Sequence, residues 1–254
     1  MKKILLFLAE LLSFFWRIVP RHLRDKWITG WIVLDSRGDP KSGLGNLFQL
    51  RDRLDWVINE RAMSYGNGLH PKHRLTKYHQ FFIDRIGGGE SVLDVGCGYG
   101  AVARSIAKVR PDSIVVGIDH DEPRLAQARS FSNLSNLQFV FGDATREVPI
   151  GEWNVVVLSN VLEHIEDRVT FLKSLVLTTK AKRYLIRVPM FERDWQMALR
   201  RELGVDFRSD PDHRIEHTIK EFREEICESG LDFYEMQTIW GEIWADCRVK
   251  KEVR

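Results

Sequence analysis

SVLDVGCGYGAVARSIAKV, residues 91–109, decides the fold. Residues 91–95 are apolar apart from Ser91 and Asp94 and read as a buried strand. Residues 101–109 carry apolar side chains at helical spacing. Between them, Gly96, Gly98 and Gly100 permit a tight turn and a close approach of backbone to a ligand. The helix start behind them offers free N–H groups. The alternation continues downstream: SIVVGID (113–119) is a strand, a helix follows over 122–131, and LQFVF (137–141) and WNVVVLS (153–159) are strands. A helix is expected over about 167–177, then KRYLIRV (182–188) as a fifth strand. Strands separated by helices imply βαβ units and a parallel sheet. Thr218, with Glu221 three residues on, has capping-box spacing for a last helix to about Glu228. LDFYEMQTI, the Trp240-Gly241 turn and EIWADCRV then read as two adjacent strands.

Upstream the pattern changes. Residues 4–19 form an apolar stretch interrupted by Glu10 and Arg17 and ended by Pro20. It is too short and too charged to span a bilayer, which takes about 20 apolar residues, and no signal-peptidase site follows it. Lys3, Glu10, Ser13, Arg17, Arg21 and Arg24 fall on one helical stripe, and the other face carries Leu5, Leu8, Leu12, Phe15, Trp16 and Val19. That is the pattern of an interfacial helix, although packing on its own domain or on a second subunit would need the same pattern. WITGWIVLDS (27–36) reads as a short strand or hairpin, GDPKSGLGN (38–46) as a loop, residues 47–63 as a helix and residues 75–86 as another. Three segments are expected: an amphipathic helix over 1–31, a helical extension or lid over 32–77, and the sheet domain over 78–254 with an irregular insertion at about 190–216.

The chain has 254 residues and a net charge of +2. So small an excess gives no sign of a nucleic-acid partner. Three cysteines, Cys97, Cys227 and Cys247, are too few for a disulfide framework and point to a reducing compartment. The charge is uneven. Residues 1–31 hold six basic and two acidic groups, so that segment carries +4 and the remainder −2. The basic leader suits an anionic membrane surface.

The glycine loop alone leaves the ligand open, since with Ala101 it also satisfies the dinucleotide fingerprint G-x-G-x-x-G/A. A phosphate-binding P-loop is excluded because no Gly-Lys-Ser/Thr follows. Asp94, two residues before Gly96, suits a cationic amine better than a pyrophosphate. Asp119 ends the second strand, where an acid can bond ribose hydroxyls. Asp143, in FGDA, follows the third strand, and LSNVLEHIED follows the fourth.

LDVGCGYG, GIDHD, FGDA and LSNVLEHIED, in that order and spacing, resemble the class I S-adenosylmethionine-dependent methyltransferases over about residues 78–249. The resemblance implies a Rossmann-like, mostly parallel seven-stranded α/β sheet with helices on both faces and an antiparallel last strand, here with an N-terminal helical extension. It implies that Gly96, Cys97, Gly98 and Gly100 lie under the methionine portion of S-adenosylmethionine, with Asp94 near its amino group. It places Asp119 and His120 at the ribose, Asp143 and Ala144 at the adenine, and Asn160 and Val161 beside the cofactor. His164 is the candidate general base, because a histidine titrates near neutral pH.

The candidate acceptor contacts are His70, His73 and Arg74 before the sheet, and His213 and His217 in the insertion. Arg193, Arg200, Arg201, Arg208 and Arg214 suggest an anionic acceptor, unless the acids among them neutralise the segment. No metal set is expected. LHPKHRLTKYHQFF (69–82) and WGEIWADCRV (240–249) are similar to bacterial methyltransferases linked to surface glycan assembly. Methyl transfer to a sugar or lipid-linked glycan hydroxyl at the cytoplasmic membrane face is therefore expected, with no nucleic-acid partner. A quinone, phospholipid or soluble small-molecule acceptor stays open, as do a homodimer and a cofactor-fold protein without turnover.

Overall fold

The computed structural model describes residues 12–68 and 70–250. The strands are β1 (Ser91–Val95), β2 (Ile114–Asp119), β3 (Leu137–Phe141), β4 (Val155–Ser159), β5 (Arg183–Pro189), β6 (Leu231–Ile239) and β7 (Glu242–Val249). They form one sheet in the order β3-β2-β1-β4-β5-β7-β6. β1 to β5 are parallel, and β7 lies antiparallel to both β5 and β6. This is the expected Rossmann-like sheet with a reversed last strand. The β6–β7 hairpin turns on Trp240 and Gly241, whose φ values of 56° and 75° give the two positive positions of a type I′ turn.

Side chains alternate across the sheet and feed two cores. Leu93 and Val95 join Val156, Leu158 and Phe171 on one face, and Phe222 and Ile226 complete that layer. Val92, Val155 and Val157 join Phe82, Ile106 and Leu125 on the other. The covering helices are α4 (Tyr78–Asp84), α5 (Ala101–Val109) and α6 (Glu122–Ser130) on the second face, and α7 (Arg168–Thr179) and α9 (Ile219–Glu228) on the first. The capping box on α9 is present: Thr218 Oγ1 accepts from Glu221 N–H, and Glu221 accepts from Thr218 N–H.

The N-terminal third departs from expectation. Residues 12–18 are helical, so the amphipathic stretch is a helix where it is described, and residues 1–11 lie outside the described residues. WITGWIVLDS is no strand or hairpin. It belongs to α1 (Arg21–Asp35), since Trp27, Ile28, Trp31 and Leu34 repeat at helical rather than alternating spacing. GDPKSGLGN is no loop either, because α2 runs from Pro40 to Tyr65. Asp39 caps it by accepting from Ser42 N–H, with Pro40 at the first helical position. Gly43 lets this first turn close on the preceding chain: a Cβ there would lie 2.2 Å from the Ser36 carbonyl oxygen.

Residues 75–86 are not one helix. α3 (Lys72–Thr76) and α4 are separated at Lys77, which sits at φ 53°. The insertion is not wholly irregular. It contains α8 (Trp195–Leu203), capped by Asp194 and ended by Gly204 at φ 74°.

Candidate functional site

The strand order reverses between β1 and β4, and their carboxyl ends open the crevice where sheets of this type bind ligands. A cleft of about 530 Å³ lies there. Its walls come from the ends of four successive strands, closed over by Asp210, Pro211, Asp212 and Arg214 of the insertion.

The β1 loop is held by its own backbone. Gly96 and Cys97 N–H both donate to the Ile118 carbonyl at 2.8 and 3.1 Å, and Gly100 N–H donates to Cys97 O at 2.8 Å. Gly96 and Gly100 sit at φ 65° and 67°. A Cβ on Gly96 would meet Val161 at 2.8 Å, and one on Gly100 would meet Phe139 at 2.3 Å, so both turn geometry and packing demand glycine. Cys97 packs its sulfur over Gly117, and burial pushes its thiol pKa up.

Asp119, 6% exposed, ends β2 and ties two loops together. Its Oδ2 accepts from Gly98 N–H at 2.7 Å and its Oδ1 from Asp121 N–H at 2.9 Å. It is not a helix cap. Asp121 fills that role for α6 by accepting from Arg124 N–H. Each Asp119 oxygen keeps a lone pair for a hydroxyl, and the carboxylate lines the cleft beside exposed His120. Asp143 and Ala144 line the same cleft. Hydrogen bonds from the Thr145 hydroxyl and N–H hold the Asp143 carboxyl below its usual range.

Asp94 lies beneath the loop, 2% exposed, with Oδ2 free of any partner. Burial raises its pKa to about 7, against a bond from the Ala103 backbone and with a further push from Asp119. Asn160, at φ 58°, donates its N–H to Arg187 O at 2.8 Å and keeps its buried Oδ1 unpartnered. Val161 and Asn160 both line the cleft.

His164 also lines the cleft and ends a 3₁₀ turn, Leu162–His164. Its ring stands edge-on to His213 at 4.8 Å between centroids. Burial, then the neighbouring His213, lowers its pKa. Glu163 in the same turn is fully buried, and sequence reading passed over it as a site residue. Its adjacency to His164 in LEHIED was the available signal.

The other expected contacts lie elsewhere. His70 is used locally, with Nε2 3.1 Å from Asn59 Oδ1 and Nδ1 accepting from Lys72 N–H. His73, its Nδ1 2.7 Å from the Tyr78 hydroxyl, lines a separate cavity with Arg74 and His79. His217 is fully buried and pairs with Glu225 at 3.0 Å. None of His70, His73, Arg74 and His217 lines the strand-end cleft.

The insertion arginines are largely neutralised, which corrects the expected basic surface. Arg193 pairs with Glu216, Arg200 with Asp52 at 2.7 Å and Arg208 with Asp206 at 2.9 Å, while Arg201 stacks on Phe191. Of the five, only Arg214 lines the cleft.

Residues 92–181 match a family model described as a methyltransferase domain. The chain is 34% identical over 115 residues to the ubiquinone biosynthesis O-methyltransferase of Acinetobacter baumannii strain AYE, covering 41% of this chain and 46% of that protein. It is 28% identical over 220 residues to the ribosomal protein L11 methyltransferase of Thermotoga neapolitana, covering 73% and 81%. Among solved structures, it resembles a magnesium protoporphyrin IX methyltransferase from Synechocystis with bound S-adenosylhomocysteine. That match has a TM-score of 0.52 at 14% identity and covers 92% and 99% of the two chains. The chain thus spans about half the length of the ubiquinone-pathway relatives it matches.

Proposed function

We propose, from the premise that this chain carries a class I S-adenosylmethionine-dependent methyltransferase domain, that it moves the cofactor's methyl group to a hydroxyl of a polar acceptor. The observation that carries this reading is the doubly anchored Asp119 carboxylate, facing the same cleft as the Gly96 loop and Asp143. In this reading Asp119 and His120 take the ribose hydroxyls. Asp143 and Ala144 border the adenine, and the loop 96–100 lies under the methionine portion with Cys97 packed beneath it. Asp94 receives the amino group, and Asn160 and Val161 flank the sulfonium.

The acceptor enters beside Asp210, Asp212, Arg214 and His164. Its oxygen bonds to the methyl carbon, the carbon–sulfur bond breaks, and the sulfur keeps the electron pair. The hydroxyl proton passes to His164. Holding oxygen, carbon and sulfur in line supplies much of the rate.

The polar wall at the insertion favours a sugar hydroxyl, as in a lipid-linked glycan precursor. The docking surface is the N-terminal arm. α1 has no buried residue, and Trp27, Trp31 and Trp56 are 56%, 73% and 70% exposed. No helix among the described residues is long and apolar enough to cross a membrane. An exposed aromatic surface beside a +4 leader instead suits lying on anionic lipid at the cytoplasmic face. A second reading, a membrane-resident quinone precursor as acceptor, is favoured by the similarity to the ubiquinone-pathway enzyme.

Calorimetry tests the cofactor: S-adenosylmethionine should bind, and Asp119→Ala should abolish binding. Tight NAD binding in its place refutes the assignment. A labelled-methyl screen on membrane extracts, resolved into glycolipid and quinone fractions, decides the acceptor.

A further inference from the structure

Glu163 poses a problem that the methyl-transfer reading leaves unsolved. Its side chain is 0% exposed, and neither carboxylate oxygen has a hydrogen-bond partner. An isolated buried carboxylate is costly unless a proton or a cation compensates it. The nearby Arg187 does not supply the cation, because its guanidinium is committed to both oxygens of Glu242 at 2.5 and 2.6 Å and to Ser159 at 3.1 Å.

Two imidazoles face the carboxylate. His213 Nε2 is 4.0 Å from Glu163 Oε1. One ligating atom from each of Glu163, His164 and His213 lies within 4.8 Å of the others.

The second nitrogen of His213 shows how the ring is set. Nδ1 is 3.1 Å from Glu216 Oε1. Glu216 already acts as an acceptor, its Oε1 toward the Ser209 N–H and hydroxyl and its Oε2 toward Arg193. Against that acceptor Nδ1 is the donor, and Nε2 turns its lone pair toward Glu163. Carboxylate, imidazole and metal in that order is the usual way a protein fixes a ligating histidine. The scaffold is also fixed. The Glu163 carbonyl accepts from Arg214 N–H at 2.6 Å, which clips the 3₁₀ turn to the insertion strand of chain carrying His213.

We propose that Glu163, His164 and His213 bind one divalent first-row transition cation at the His164 end of the cleft. Two imidazoles and one carboxylate suit an ion of borderline hardness, such as zinc, cobalt or manganese. Ligand atoms about 2.1 Å from one ion stand roughly 3 to 4 Å apart, so from separations of up to 4.8 Å each atom moves by less than about 1 Å to complete the set. The cation gives the Glu163 oxygens the partner that the surrounding protein does not. Metal binding does not depend on methyl transfer. If both hold, His164 would serve as a ligand, and the ion would supply Lewis-acid polarisation of an acceptor oxygen.

The test uses untagged full-length protein stripped with chelator and titrated with Co²⁺, followed by visible absorption and by calorimetry, with Zn²⁺ as competitor. One equivalent should bind, with intensified d–d bands that Zn²⁺ erases. Glu163→Gln and His213→Ala should each weaken binding at least tenfold, while His70→Ala should leave it unchanged. Exposed His164→Ala serves as the variant least able to disturb folding and should also weaken binding. The metal should raise the Tm of the natural chain, and Glu163→Gln should lose that rise while keeping a cooperative melt. Absence of binding, binding unaffected by the Glu163 and His213 substitutions, or loss only with His70→Ala overturns the proposal. S-adenosylmethionine calorimetry on the same stripped protein reads the methyltransferase assignment separately.

Discussion

Replacing Asp94 with asparagine separates what this carboxyl costs the fold from the role proposed for it toward S-adenosylmethionine. Burial raises its pKa from 3.8 to about 7, a shift of about three units. A cationic amine placed against it would restore the ionised form. Cofactor binding should then expel the proton that Asp94 holds. With a pKa of about 7, the site releases about 0.9 proton per cofactor at pH 6 and about 0.5 at pH 7. Affinity should therefore rise roughly tenfold per pH unit up to about pH 7 and then level off. The assay is calorimetry of S-adenosylmethionine binding in buffers of different ionisation enthalpy, whose slope counts protons. Asp94→Asn should abolish both the release and most of the affinity.

The same shift has an opposite consequence for stability. The unfolded chain ionises Asp94 near pH 4 while the fold resists until about pH 7, so the folded state binds more protons in that window. Stability is then lost as pH rises from about 4 to about 7, by up to about 4 kcal/mol. Asp94→Asn should remove this slope and melt higher than the natural chain at pH 8. Equal proton release by the two proteins, or a variant less stable at pH 8, refutes the reasoning.

Other substitutions probe the scaffold. Gly100→Ala would set a Cβ 2.3 Å from Phe139 at φ 67° and should cost about 2–4 kcal/mol in urea unfolding; a cost below about 1 kcal/mol would mean the loop relaxes freely. Arg200, 4% exposed, bonds Asp52 and the Phe48 and Asp206 carbonyls. Arg200→Ala should cost about 2 kcal/mol and speed proteolysis within α2, and unchanged cleavage would show that the arm is held by other contacts. Trp27→Ser with Trp31→Ser should leave stability within about 0.5 kcal/mol yet reduce binding to anionic vesicles by tenfold or more in a sedimentation assay. Undiminished binding counts against the membrane surface.

The sheet was legible because buried parallel strands are continuous apolar runs whose ends are marked by glycine and aspartate. β1, β3, β6, β7 and α5 fall where the pattern put them. The arm was harder to read at α1 and at the start of α2, which bury almost nothing, although residues 47–63 of α2 were legible as helix. Trp, Ile and Val in WITGWIVLDS carry strand propensity, and nothing local outvotes it except the spacing of Trp27, Trp31 and Leu34. In DPKSGLGN the glycines suggested a loop, whereas Asp39-Pro40 was a helix start. Asp119, Asp143 and His164 line the cleft because they end or follow successive strands, which is why strand-end loops were the place to look for them. For Glu163 the sequence offers only its adjacency to His164; that it is buried without a partner is visible only in three dimensions.

The molecule divides its chemistry unequally between its two halves. The loops after β1, β2 and β3 make one end of the cleft and lie within residues 92–181, the stretch that matches the methyltransferase-domain model. The segment from Trp195 to His217 lies beyond that match. At one end Arg200 reaches Asp52 and stacks on Phe48, gripping the exposed arm. At the other, Asp210, Asp212 and Arg214 wall the cleft while His213 meets Glu163. One stretch of chain therefore touches both the surface suited to docking and the pocket suited to the acceptor. The arm is thereby joined to His213 through the Arg200–Asp52 ion pair and the chain between Arg200 and His213, whereas the loops bearing Asp119 and Asp143 leave the sheet itself.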